Sequence, residues 1–116
     1  MFSFIGAKIW FYRVPVDFRK QIDGLVTVIS DHLAFDPTSG QVFIFRSKRA
    51  DRIKILYWEK NGFWLLYKRL EKGRFKFPQI TDRQLELTSD QLNWLLSGLD
   101  LCKHQPAQEL NPDLFY

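Results

Sequence analysis

Hydrophobic and polar residues alternate along the middle of the chain, from Gln41 to Phe75. Side chains of a β-strand repeat every two residues, so this alternation predicts strands at 42–46, 52–58 and 63–70. The segments between them are short and polar. The second of these segments contains Asn-Gly, a dipeptide that tolerates the positive φ angles of a tight hairpin. The pattern therefore predicts an antiparallel β-meander.

With Arg46 placed opposite Arg52, the alternation predicts two unlike faces of this sheet. One face is apolar and forms the core; it would collect Phe43, Phe45, Ile53, Ile55, Tyr57, Trp64, Leu66 and Leu70. The other is basic at one end and aromatic at the other; it would collect Arg46, Arg52, Lys54, Trp58, Phe63, Leu65, Tyr67 and Arg69, with Val42, Ile44 and Leu56. Charge reversal at Arg52 and Lys54 is therefore expected to leave the fold intact.

Apolar residues at helical spacing predict two amphipathic helices. Asp17 is expected to cap the first helix, which runs to about residue 33. Gly24 within that helix indicates a close contact. Thr88 and Gln91 form a capping box that opens the second helix, whose apolar stripe is Leu92, Leu95, Leu96 and Leu99.

Shorter strands are expected at 8–13 and 83–87 on either side of the meander. The predicted fold is α+β: an antiparallel meander sheet of four to six strands, with the two helices packed mainly on its apolar face. A chain of 116 residues is long enough for one core. We expect a single domain at 1–102 and a loosely ordered tail at 103–116.

Positive charge is concentrated in the meander. Residues 46–76 hold eleven of the seventeen Lys and Arg residues against three acids, a net +8, whereas residues 77–116 hold two against six, a net −4. Cations interleaved with aromatic rings bind phosphates and stack bases, although Lys and Arg also protect strand edges. The residues predicted to contact nucleic acid are Arg46, Lys48, Arg49, Arg52, Lys54, Trp58, Tyr67, Lys68, Arg69 and Arg74.

The composition indicates no metal, cofactor or membrane segment. Cys102 is the single cysteine, and neither His32 nor His104 has a Cys or acidic neighbour at metal-ligand spacing. No run approaches the roughly 20 apolar residues that cross a bilayer. We expect a cytoplasmic protein.

A basic protein with several carboxylates raises the alternative of a metal-dependent nuclease. Asp17, Asp23 and Asp51 come nearest to a ligand set. Each has another explanation: helix capping for Asp17, the polar side of a helix for Asp23, and pairing with neighbouring arginines for Asp51. No catalytic residue is predicted.

Several short motifs follow one another in an order that matches a known family. They are Asp17-Phe18-Arg19-Lys20, Asp23-Gly24-Leu25, Gly40 with Val42-Phe43 and Phe45-Arg46, Asp51-Arg52-Ile53-Lys54, Trp58, Gly62, the run 67–75, Leu87-Thr88, Gln91-Leu92 and Leu95-Leu96 with Gly98. On these residues the chain resembles the accessory protein of the second open reading frame (Orf2, often called TnpB) of the insertion-sequence-66 type of bacterial transposon. The resemblance covers about residues 8–101.

This resemblance implies a non-enzymatic accessory factor in DNA transposition that works beside a separate, larger transposase. The expected partners are DNA, bound through the basic sheet face, and that transposase. A second hypothesis is a protein-interaction module that binds the transposase or a second copy of the chain without contacting DNA. The oligomeric state stays open.

Overall fold

The computed structural model describes Phe4 and residues 6–98. The predicted tail at 103–116 lies outside the described residues, as does Leu99, which was placed on the stripe of the second helix.

Five strands form one sheet in the order β4-β3-β2-β1-β5. Within the described residues the only parallel pair is β1 with β2. The predicted α+β class and the meander of β2, β3 and β4 are confirmed. The strands are β1 (Ile9–Tyr12), β2 (Val42–Arg46), β3 (Arg52–Glu59), β4 (Gly62–Arg69) and β5 (Gln84–Leu87).

The parallel pairing of β1 with β2 requires a crossover, and the first helix supplies it. This helix, α1 (Ile22–Val28), continues into a π-helical turn (Ile29–Leu33) that ends at Ala34 in the left-handed conformation with φ 57°. Gly24 has the close contact expected for it, because a Cβ atom there would lie 3.1 Å from the Lys20 side chain.

Asp17 does not cap α1, which begins four residues later than predicted. Its carboxylate instead accepts a hydrogen bond from the backbone N–H of Arg19 at 2.9 Å, and its carbonyl accepts one from Lys20 at 3.0 Å. The chain therefore makes a separate turn at 17–20 before the helix starts.

The second helix, α2 (Ser89–Leu96), begins with the predicted capping box. The N–H of Gln91 donates to the Thr88 hydroxyl at 3.1 Å, and the Gln91 side chain accepts from the N–H of Thr88 at 2.8 Å. Leu92, Leu95 and Leu96 are buried against the sheet.

The two helices cover opposite faces of the sheet. α1 and its π-helical turn pack on the face that holds Phe45 and Leu56 (the α1 face), and α2 packs with segment 75–80 on the face that holds Ile44 and Ile55 (the α2 face). β2 lies at the centre of the sheet, and its first four residues are buried. A strand that is apolar on both sides needs cover on both sides. The prediction of one covered and one open face is therefore wrong.

β2 pairs with β3 one residue away from the predicted register, so that Arg46 lies opposite Ile53. The backbone N–H of Ser47 donates to the carbonyl of Arg52, and the Ser47 hydroxyl accepts from the N–H of Arg52, both at 3.1 Å. Residues 48–51 then form the loop, with Ala50 at φ 63°. A shift of one residue moves every β2 side chain to the other face, so Arg46 lies on the α2 face.

The pairing of β3 with β4 follows the predicted alternation. Arg52 lies opposite Arg69, and Lys54 lies opposite Tyr67. The turn consists of Lys60, where φ is 56°, and Asn61, because Glu59 already pairs with Gly62. It therefore lies one residue before the predicted Asn-Gly pair. No helix of the described residues is long and apolar enough to cross a membrane.

Candidate nucleic-acid interface

Five arginines lie side by side at one end of the sheet, one at the end of each strand. β2 ends at Arg46, β3 begins at Arg52 and β4 ends at Arg69, while Arg13 follows β1 and Arg83 precedes β5. The strand directions bring these five termini to the same end of the sheet. We call this set the arginine row; its order across the sheet is Arg69, Arg52, Arg46, Arg13 and Arg83.

Strand pairing and two hydrogen bonds connect the members of the row. Arg52 and Arg69 are a cross-strand pair. The N–H of Arg13 donates to the carbonyl of Arg83 at 2.9 Å, and the Arg46 side chain reaches the carbonyl of Arg13 at 3.4 Å.

Three more predicted cations, Lys48, Arg49 and Arg74, are exposed on the loops beyond the row. These two loops are held side by side because the N–H of Phe75 donates to the carbonyl of Ala50 at 2.7 Å. Within the described part of the chain, none of the three cations forms an ion pair. We call the arginine row with these three residues the basic end.

Lys54 is buried and does not belong to the basic end. Its side chain is 1% exposed, and its Nζ atom donates to the carbonyls of Phe18 at 2.9 Å and Lys20 at 2.7 Å. The same atom lies 5.1 Å from the centre of the Phe18 ring and 5.4 Å from that of Tyr67. Burial lowers the pKa of Lys54, and the Asp17 charge opposes that effect. The prediction of a solvent-facing Lys54 is wrong, because the turn at 17–20 covers it.

Two members of the row have carboxylate neighbours. Arg69 Nε lies 2.7 Å from Glu71 and lowers the pKa of that carboxyl, while Arg52 Nε lies 3.9 Å from Asp51. Exposed ion pairs of this kind contribute little free energy. A phosphate can therefore compete for both arginines.

Arg46 and Lys68 lie on the α2 face, so the predicted single basic face does not form. Lys68 is exposed, but its Nζ donates to the carbonyl of Leu96 at 2.9 Å. The guanidinium of Arg46 lies 5.2 Å from the centre of the Phe77 ring, and burial lowers its pKa. The cations gather at one end of the sheet rather than on one side of it.

The two predicted stacking residues are far apart. Tyr67 is 51% exposed, lies two residues from Arg69, and has its ring against Phe18 at 6.0 Å. Trp58 packs against Phe63 near the opposite end of β3, about 20 Å along the strand from Arg52. Only Tyr67 of this pair is brought together with the cations.

Within the described residues, the carboxylates considered for a nuclease site do not form a metal site; Asp17 and Asp51 accept hydrogen bonds from neighbouring side chains. Arg19 donates to Asp17 at 2.6 Å and lowers the Asp17 pKa to about 2. Asp51 accepts from the Ser47 hydroxyl at 3.1 Å. Across the residues described by the structure, no group of three or more His, Cys, Asp or Glu side chains could hold a metal ion.

Sequence reasoning missed Arg13 and Arg83. Both lie outside the basic window at 46–76. Arg13 ends the predicted strand 8–13, and Arg83 begins the predicted strand 83–87. An arginine at or next to one terminus of every predicted strand is the sequence signal that could have identified them.

The family model of the IS66 Orf2-like proteins (TnpB_IS66) matches residues 7–106 of the chain. The uncharacterized protein y4jC of Sinorhizobium fredii (strain NBRC 101917 / NGR234) is 40% identical over 95 residues, which cover 82% of this chain and 81% of y4jC. The uncharacterized protein y4hO of the same strain is 29% identical over 95 residues, covering 82% of this chain and 83% of y4hO. No solved structure matches. The chain therefore belongs to the IS66 Orf2-like family, the accessory proteins of this type of insertion sequence.

Proposed function

We propose that the chain is a non-catalytic accessory protein of DNA transposition that binds the DNA backbone through its basic end. The observation that carries this proposal is the arginine row, which places a guanidinium at the same end of all five strands. Lys48, Arg49 and Arg74 extend the positive charge beyond it.

The dimensions of the row suit a nucleic acid. Neighbouring strands lie about 4.8 Å apart, so five strands space the arginines over about 19 Å. One strand of B-DNA places a phosphate every 3.4 Å or so along its axis, and the row therefore spans about five or six phosphates. Exposed arginines hold such phosphates through charge-assisted hydrogen bonds.

The excess of positive charge lies at one end of the sheet. The loops and strand termini at the other end carry Lys8 and Lys60 against Asp36, Glu59 and Asp90. This asymmetry supports a single DNA-facing end and supplies positions for control variants.

A salt titration tests the proposal. Binding of the full chain to a labelled DNA duplex, followed by fluorescence anisotropy, should weaken linearly in log Kd against log salt, by about 0.9 for each phosphate contacted. The DNA should stay intact when Mg²⁺ is added. Absence of binding at low salt would contradict the DNA contact, and cleavage that requires Asp17 or Asp51 would contradict the non-catalytic role.

A second candidate function is protein interaction through β4. This eight-residue strand is at the edge of the sheet, and within the described residues no strand pairs with its outer side. Trp64 on β4 is 52% exposed. An exposed edge with a large aromatic side chain suits the addition of a strand from a partner, such as the transposase or a second copy.

A further inference from the structure

A hollow of about 350 Å³ lies beside the arginine row on the α2 side of the sheet. Its volume is at the lower end of the range for small-ligand sites. Its wall combines two arginines with residues from the segment after β4: Arg13, Arg46, Phe77, Pro78, Gln79 and Ile80.

Arg46 brings an unused donor to this hollow. Its Nε atom is buried and has no acceptor among the described residues, and its Nη1 atom makes only a long bond of 3.4 Å to the carbonyl of Arg13. A buried N–H without an acceptor costs free energy. The Nη2 atom makes no hydrogen bond within the described residues, so this end of the guanidinium, unlike the buried Nε, is the donor available to an oxygen of a bound anion.

The charge of the hollow is also uncompensated. In the part of the chain that the structure describes, neither Arg13 nor Arg46 forms an ion pair. Arg13 Nε donates to the carbonyl of Asp82 at 2.9 Å, which is a neutral acceptor. Burial disfavours the charged form of Arg46 and lowers its pKa. Two neighbouring guanidiniums in this setting attract an anion with several oxygens.

The guanidinium groups of Arg13 and Arg46 are suited to binding a phosphate. A guanidinium presents its N–H groups in a rigid fork that matches the oxygens of a phosphate. The Cζ atom of Arg46 lies over the Phe77 ring, 5.2 Å from its centre, so the ring supports the guanidinium at the wall of the hollow. We infer that the hollow between Arg13 and Arg46 binds one phosphate group. On the proposed function, that group is a backbone phosphate of the bound DNA.

The pocket itself is tested with pyrophosphate, using the full chain at constant ionic strength. The Nε–H resonance of Arg46 should shift on titration, and the thermal unfolding midpoint should rise, because a ligand that binds only the folded state stabilises it. Arg46→Lys keeps the charge but loses the fork, so the rise of the unfolding midpoint should largely disappear. Arg83→Gln, a change at a row residue that does not line the hollow, should retain both the shift and the stabilisation. No shift and no stabilisation in the wild type would overturn the inference.

The source of the phosphate is tested with DNA. Arg46→Lys and Arg13→Gln should each weaken duplex binding by about tenfold, as expected for a lost hydrogen bond to a charged group. Arg13→Gln should also lower the salt slope by about one, whereas Arg46→Lys keeps the charge and should leave the slope nearly unchanged. Circular dichroism must show that both variants are folded. If pyrophosphate binds while DNA binding is unchanged in both variants, the pocket stands with a free phosphate as its ligand, and a DNA phosphate is ruled out.

The two proposals fail in different ways. If wild type binds pyrophosphate but no DNA at low salt, the pocket stands and the proposed function falls. If DNA binding depends on Lys48 and Arg49 but pyrophosphate has no effect, the proposed function stands and the pocket falls.

Discussion

The Nζ atom of Lys54 lies 2.9 Å from the carbonyl oxygen of Phe18, 36 residues away along the chain, and 5.1 Å from the centre of its ring. This contact ties the centre of β3 to the turn that precedes α1. The turn also carries Arg19 and Lys20, so Lys54 connects two charged motifs, 17–20 and 51–54. Its role is structural, and it sets where the chain crosses the α1 face.

Lys54→Met should lower the free energy of unfolding by about 1–3 kcal/mol, the cost of leaving buried acceptors without donors. Methionine keeps the length of the side chain but cannot donate to the carbonyls of Phe18 and Lys20. Urea unfolding measures the change. Lys48→Met, at an exposed lysine six residues away, is the matched control and should change little. Equal stability of the two variants would show that the buried hydrogen bonds contribute nothing.

The same contact changes the design of a charge-reversal experiment. Arg52→Glu combined with Lys54→Glu should unfold the protein, because the second substitution buries a carboxylate beside two carbonyl groups. Lys48→Glu with Arg49→Glu avoids this problem, since both side chains are exposed. This pair should weaken DNA binding strongly and reduce the salt slope by about two. Anisotropy at several salt concentrations measures both.

The control for the Lys48→Glu, Arg49→Glu variant makes the same change of net charge at the other end of the sheet. Lys8→Glu with Lys60→Glu should leave the salt slope unchanged, because these exposed residues lie away from the arginine row. If both double variants lose DNA binding equally, the overall charge of the protein and not its basic end governs the association.

The β3–β4 hairpin could be predicted from the sequence because its information is local. Alternating side chains assign each residue of the hairpin to the correct face. The turn lies one residue earlier than the predicted Asn61-Gly62 loop, and this shift sets Arg52 opposite Arg69. The β2–β3 register could not be fixed in the same way. The loop depends on a left-handed Ala50 and on a hydrogen bond from the Ser47 hydroxyl to Asp51, and alanine gives no turn signal of its own.

The candidate site depended on that register and on contacts between distant parts of the chain. One residue of slip moved Arg46 to the α2 face, where it lines the hollow. Lys54 has the polar character of an exposed strand residue, and contacts with the distant turn at 17–20 bury it. The arginine row requires β1 to lie between β2 and β5, a strand order that no local pattern in the sequence contains.

Thr88→Ala should destabilise the protein by about 1 kcal/mol, the usual cost of losing an N-cap side chain. The substitution removes the acceptor for the N–H of Gln91 at the start of α2. Thr81→Ala, in the exposed segment before β5, is the control. Thermal or urea unfolding measures the difference, and an unchanged midpoint for Thr88→Ala would show that the capping box does not stabilise α2.

The Asp17–Arg19 pair should make stability depend on pH in the acid range. The Asp17 pKa is lowered from 3.8 to about 2 in the folded protein, first through the side-chain hydrogen bond from Arg19. The unfolded state therefore binds more protons between these values. The stabilisation is present above about pH 4 and is lost as pH falls towards 2. Asp17→Asn should lose less stability than wild type between pH 5 and pH 2.

Measuring that difference between the two proteins isolates the pair. Asp36 and Glu71 also have lowered pKa values, from the hydrogen bonds of Thr38 and Arg69 respectively, but both are present in wild type and variant. Parallel pH profiles of the two free energies of unfolding would show that Asp17 is not responsible.

Trp64→Glu should separate protein interaction from DNA binding. Trp64 lies on the edge strand β4, is 52% exposed, and donates from its Nε1 to Glu59 at 3.1 Å. Removing its apolar surface and adding a charge should weaken association with the transposase of the same element, or self-association, by at least tenfold, as expected for a central aromatic contact. Val14→Glu alters another exposed apolar side chain, 36% exposed and outside β4, and should bind as wild type does. Co-purification and sedimentation measure the two associations.

DNA affinity should change little in Trp64→Glu, because Trp64 lies at the end of β4 away from Arg69. The added negative charge should cause only a small loss of affinity, visible at low salt and screened at high salt. If Trp64→Glu leaves both protein associations intact, the edge of β4 is not the partner surface.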